Sequence, residues 1–141
     1  MLQILFKKGA LNRYTIEKTT NTPLDTLAYF LIGDAFQAIK FAESGFEEIS
    51  FINWLFDQNS ENDWIGGSAM ELLKKDGEIL LDYQFRNDDE DWSKAFVTSP
   101  EDMIMILKQW YDILEMRPRP DEVKLTQEGD DVWQLISQIS K

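Results

Sequence analysis

Ser68-Ala-Met-Glu-Leu-Leu-Lys-Lys-Asp76-Gly77-Glu-Ile-Leu-Leu-Asp-Tyr-Gln-Phe85 is the stretch whose reading decides the fold class. Asp-Gly suits the two left-handed residues of a type I′ turn, and the residues on either side are apolar and polar in the manner of strands. The stretch therefore predicts an antiparallel hairpin, with strands over 68–75 and 78–85. Upstream, residues 48–57 are apolar on both alternating sets: Ile49, Phe51 and Leu55 against Ile52, Trp54 and Phe56. That pattern predicts a central strand covered on both faces. Downstream, residues 94–98 read as a short strand behind an acidic loop.

Helix signals flank this β region. Thr22-Pro23-Leu24-Asp25 offers a hydroxyl cap and a proline at the first helical position, where no amide hydrogen bond is lost. Leu24, Leu27, Ala28, Leu31, Ala35, Ile39 and Ala42 continue at helical spacing to Gly45, with Gly33 costing about 1 kcal/mol relative to alanine inside the helix. Ser99-Pro100-Glu101-Asp102 starts a second helix. Its stripe is Met103, Ile106, Leu107, Trp110, Tyr111 and Leu114, and Arg117-Pro118-Arg119-Pro120 ends it. At the N-terminus, residues 2–6 and 13–18 suit two strands joined through Gly9. Near the C-terminus, 122–126 alternates like an edge strand, while Val132, Leu135, Ile136 and Ile139 fit a short helix slightly better than a returning strand. The expected order ββαββββαβα predicts a single α+β domain over residues 1–141: one mainly antiparallel sheet with two main helices packed against it.

Composition narrows the function. The chain has 141 residues, 43% of them hydrophobic, enough for a core. Its 26 acidic residues against 14 basic ones leave a formal charge of −12, which disfavours nucleic acid and anionic membrane as direct partners. There is no cysteine and no histidine, so disulfides, thiolate nucleophiles, zinc–sulfur sites and the usual general base near neutral pH are absent. No apolar run approaches the roughly 20 residues of a membrane span. The basic pair Lys7-Lys8 follows the apolar residues at the start, opposite to the order in a signal peptide. A cytoplasmic, non-enzymatic binding protein without a cofactor is the expectation; the oligomeric state is left open.

The acid is concentrated. Residues 1–20 carry +3, whereas 41–63 and 76–91 each carry −6 and 121–131 carries −4. Two acidic loops each end in a tryptophan: Asp57, Glu61 and Asp63 before Trp64, and Asp88, Asp89, Glu90 and Asp91 before Trp92. Both are expected to leave the same stretch of sheet. Together they would form a rim-and-anchor surface for a basic protein, the carboxylates steering the encounter and the indoles supplying buried area. The alternative is that the acids only solvate the loops and the indoles fold back onto the core.

Other chemistries fail on the residues. Asp57-x-Asn59-x-Glu61 opens like a calcium loop, but Asn62 stands where that loop needs glycine and Ser68 where it needs a bidentate glutamate. Consecutive carboxylates at 88–91 point alternately in an extended segment and do not converge on a cation. Paired-carboxylate hydrolysis needs a cleft that this length has little room to line. No Walker loop, dinucleotide glycine motif, Ser-x-x-Lys motif or nucleophile elbow occurs. The helix face of Met103, Met105, Trp110, Tyr111 and Met116 is expected in the core, with docking as the lesser alternative. Lys7, Lys8 and Arg13 either pair with the acidic loops or mark a second surface.

Trp54-Leu-Phe-Asp-Gln-Asn-Ser-Glu-Asn-Asp-Trp64-Ile-Gly-Gly67, together with Ser99-Pro-Glu-Asp and Trp110-Tyr-Asp-Ile-Leu114 ahead of the proline-rich 117–120, resembles the small acidic immunity proteins of bacterial toxin systems. Those of contact-dependent growth inhibition are included in that resemblance. It spans roughly the last two thirds of the chain and carries over no residue role. It implies a cytoplasmic, non-enzymatic inhibitor of a cognate toxin, often a basic nuclease, whose active site or substrate groove it blocks. An acidic adaptor or regulatory subunit for a basic cellular protein is the alternative.

Overall fold

The computed structural model describes residues 2–33, 57, 64–66, 70–85, 88, 91–129 and 132–138. Strand β1 (Leu2–Lys8) turns through a short 3-10 segment (Ala10–Asn12) into β2 (Tyr14–Lys18), and helix α1 (Leu24–Ile32) follows. Next come β3 (Trp64–Gly66), β4 (Met70–Lys75), β5 (Glu78–Tyr83) and β6 (Phe96–Thr98). Helix α2 (Pro100–Glu115) leads to β7 (Glu122–Glu128) and β8 (Val132–Gln138).

The α+β class is as read from the sequence, but the strands form two four-stranded antiparallel sheets instead of one. Their orders are β2-β1-β7-β8 and β3-β4-β5-β6. The chain returns from β6 of one sheet to β7 of the other through α2. Each helix packs against both sheets: α1 against β1 and β2 on one side and β5 and β6 on the other, α2 against β8 and β5. A single apolar cluster runs through all of them, including Phe6, Leu27, Phe30, Ile79, Leu81, Trp110 and Val123. The two sheets thus share one core, as a chain of this length requires.

The hairpin turns where expected. Asp76 and Gly77 have φ of +54° and +77°, and Lys75 pairs directly with Glu78. Helix α2 starts as its residues dictate: the Ser99 hydroxyl accepts the Asp102 amide at 3.1 Å, Pro100 opens the first turn, and Glu101 and Asp102 lie at the positive end of the dipole. At its other end Arg117 Nη1 and Arg119 Nε each donate to the Leu114 carbonyl at 2.8 Å. Met103, Ile106, Leu107, Trp110 and Ile113 are buried and Tyr111 is half-buried, whereas Met105 and Met116, expected in the core with them, are each 39% exposed because they lie off the buried stripe of the helix.

Two sequence expectations are corrected. Residues 132–138 form a strand, not a helix: Gly129, at φ +71°, reverses the chain and β8 pairs with β7 from Glu128↔Val132 to Glu122↔Gln138. Strand β7 is consequently interior to its sheet, between β1 and β8, and not an edge. Helix α1 is described only to Ile32, with Gly33 as its C-cap. The expected continuation over 34–45 and the expected strand over 48–56 lie outside the described residues.

Candidate functional site

Asp25 organises the entry to α1. Its carboxylate accepts the Thr20 amide, the Thr20 hydroxyl and the Asn21 amide, each at 2.8 Å, and so clamps the loop that precedes the helix. Asn21 takes a left-handed backbone, φ +57°, to allow this. The cap therefore differs from the one expected. Thr22 presents its backbone carbonyl to the Asp25 amide and its hydroxyl to the Leu24 amide at 3.3 Å, while the first-turn acid closes the structure from the other side.

The end of β5 lies against this loop. Tyr83 shares a side-chain hydrogen bond with Thr26, and its ring stands 6.4 Å from that of Tyr29. Burial raises the Tyr83 pKa above its ordinary value; the Thr26 bond opposes the rise, and Tyr29, Asp25 and Asp82 add to it. Asp82 is only 5% exposed and accepts the Tyr83 amide at 2.8 Å. Beyond β5 the chain makes turns fixed by its own backbone. The Asp88 carbonyl accepts the Asp91 amide at 3.0 Å, and the Trp92 carbonyl accepts the Ala95 amide at 3.1 Å. The Asp91 carboxylate accepts the Ser93 amide at 3.0 Å.

These three pieces enclose an open cleft of about 670 Å³. Asp25, Asp82, Asp88 and Asp91 line it, and Lys94 is the one cation among the described lining residues. Asn21, Thr22 and Ser93 add neutral polar groups. Asp88 and Asp91 are exposed and Trp92 is half-buried at the base of the turn. Among the described residues no group of three or more potential ligands converges to hold a metal ion. The walls offer negative charge and hydrogen-bond acceptors over a broad opening, which suits long cationic side chains better than a small bound ion.

The remaining residues read from the sequence fall as follows. Asp57 is exposed, and its backbone carbonyl accepts a hydrogen bond from the buried Lys74 ammonium. Trp64 begins β3 opposite Leu73. Glu61, Asp63, Asp89 and Glu90 lie outside the described residues. The register separates the two acidic loops: the chain enters β3 level with Leu80, toward the Asp76-Gly77 turn, and leaves β5 at the opposite end, where Tyr83 faces Met70. They flank the sheet at its two ends and do not leave it side by side.

The basic N-terminal residues are used locally. Lys7 pairs with Glu17 at 3.7 Å, and Lys8 with Asp121 at 3.3 Å. Asp25 and Asp82 were missed in the sequence because the first reads as a helix-start acid and the second as the polar half of an alternating strand. The excess of acid over 76–91 was the available signal for Asp82. Compared with known proteins, the chain matches no family model, no curated protein and no solved structure. No helix among the described residues is long and apolar enough to cross a membrane.

Proposed function

We propose that this chain is a cytoplasmic, non-enzymatic binding protein that neutralises a cognate toxin by engaging a basic surface on it, such as the substrate groove of a nuclease. The observation that carries the reading is the cleft between the α1 entry and the 88–95 turns, where the described charged residues are four aspartates and one lysine. Such a wall repels nucleic acid and attracts lysine and arginine side chains, and preset turns lose little freedom on binding. The charge of −12 supports it at long range by steering a cationic partner toward the protein. In this reading Asp88 and Asp91, both exposed, make the first contact, and the half-buried Trp92 serves as the apolar anchor. Asp57 lies at the other end of the sheet and serves the same partner only if that partner spans the sheet.

The test has two stages. Proteins retained by the immobilised chain are identified, and the retained protein is expressed alone and with this chain in the same cells. An inhibitor of a toxin restores growth when co-expressed, and the doubly substituted Asp88→Asn, Asp91→Asn chain restores it less well. A retained protein that is harmless alone would replace the toxin reading with that of an acidic adaptor. A retained protein bound equally by the double variant would move the interface elsewhere.

A further inference from the structure

The end of β5 brings exposed aromatic surface to the acidic cleft. Tyr83 lines the cleft together with Asp25, Thr26, Asp82, Asp88 and Asp91. It keeps 39% of its surface exposed, and Tyr29, whose ring is tilted by 54° against that of Tyr83, keeps 42%. Phe85, between Tyr83 and Asp88 in the chain, is 83% exposed. Large apolar side chains exposed singly are ordinary on a protein surface. Here Tyr83 belongs to the lining, Tyr29 packs against it, and Phe85 follows it by two residues, so the three gather at one charged cleft as aromatic residues do at contact surfaces.

The two tyrosines sit on regular elements. Thr26 and Tyr29 are three residues apart on α1 and share a face of it; Tyr83, the last residue of β5, bonds to the first and packs against the second. Rings held in this way lose little freedom when a ligand covers them. A cation that enters the cleft therefore meets carboxylates and aromatic rings together. The carboxylates alone do not choose between the two basic side chains, because exposed ion pairs contribute little with either. The rings do choose. A guanidinium is planar and weakly hydrated, so it lies on a ring face while its edge donates to carboxylates, whereas an ammonium is a compact, strongly hydrated charge that gives up more water for the same contact.

We infer that the cleft selects arginine over lysine, so that its partner is a basic protein surface whose contacting cations are arginines stacked on Tyr83 and Tyr29 beside Asp88 and Asp91. The inference rests on the reading of the cleft as the contact surface for a basic protein and names the side chain that the surface recognises. Charge complementarity supplies the attraction, and the tyrosine pair supplies the choice. Phe85 adds apolar contact for the stem of an arginine side chain or for its neighbours.

The test is a calorimetric titration of the full chain, at one fixed ionic strength, with two flexible peptides of equal length and charge: acetyl-(Gly-Ser-Arg)4-amide and acetyl-(Gly-Ser-Lys)4-amide. The arginine peptide is expected to bind tighter by about threefold or more. Tyr29→Leu, an exposed change to a good helix former, should bring the ratio of the two affinities toward one while leaving the lysine peptide within about twofold of its parent value. Tyr83→Leu should do the same, and Tyr83→Phe, which keeps the ring and loses the hydroxyl, should retain the preference for arginine. Asp88→Asn, Asp91→Asn should weaken both peptides and leave their ratio unchanged. Equal affinities for the parent chain, or a ratio indifferent to Tyr29→Leu, would overturn the arginine assignment and leave the cleft as a contact surface for any basic protein. Peptide binding unaffected by Asp88→Asn, Asp91→Asn would overturn both, by placing the cations elsewhere on the chain.

Discussion

The Tyr14 hydroxyl donates to the Pro120 carbonyl at 2.6 Å, tying the first residue of β2 to the segment that carries the chain from α2 into β7. The bond is buried and joins residues far apart in sequence, so it fastens the N-terminal hairpin to the C-terminal half of its sheet. Tyr14→Phe removes the bond and leaves a buried carbonyl without that donor, and is expected to cost about 1 kcal/mol or somewhat more in a urea melt.

The same residue gives the fold an alkaline limit. Burial raises the Tyr14 pKa above 10; Arg119 opposes the rise and Asp121 adds to it. The folded protein holds the phenolic proton more tightly than the unfolded chain does. That contribution to stability is therefore complete below pH 10 and is lost as pH rises through the folded value. Tyr83, whose pKa burial also raises, adds in the same direction. Urea melts between pH 8 and 11 should show stability falling above pH 10, and Tyr14→Phe should flatten that fall without abolishing it.

Gly77 occupies φ +77° in a two-residue turn, with no atom near the position a Cβ would take. Space is therefore free and only the backbone resists substitution. Gly77→Val should lower stability by about 1–2 kcal/mol, and Gly77→Asn by distinctly less, because asparagine tolerates the left-handed region. Equal melting temperatures for the two variants would show that the turn does not set the hairpin.

Asp25→Ala removes all three hydrogen bonds that clamp the α1 entry. Its expected cost is about 1–2 kcal/mol, in the range of a lost helix cap. Trp110→Ala should cost more, about 3–5 kcal/mol, because it empties a large buried volume beside Phe6 and Tyr14. The comparison by thermal melting separates a local clamp from a core position.

What the sequence disclosed follows the range of the interaction. The Asp76-Gly77 turn and the Ser99-Pro100 cap are decided by neighbours within four residues, and both stand where expected. The 132–138 strand is decided by pairing with β7, and its apolar spacing at Val132, Leu135 and Ile136 is compatible with a helix until that partner is present. Two sheets in place of one arise in the same way, since alternation identifies a strand and a buried face but not the neighbour. In the cleft, Asp88 and Asp91 stood out by charge density alone. Asp25 and Asp82 join them only because α1 and β5 are brought together through the Tyr83 contacts with Thr26 and Tyr29.

The central claim, a charge-steered encounter at the Asp88 and Asp91 turns, is tested most directly by the association rate of the retained partner at rising ionic strength. The rate should fall at least about tenfold between low salt and half-molar salt, with dissociation changing much less, because the Debye length contracts below the separation at which steering acts. Asp88→Asn, Asp91→Asn should reduce both the rate at low salt and its salt dependence while leaving the melting temperature within a few degrees of the parent. An association rate indifferent to salt, or one identical for the parent and the double variant, would contradict the account.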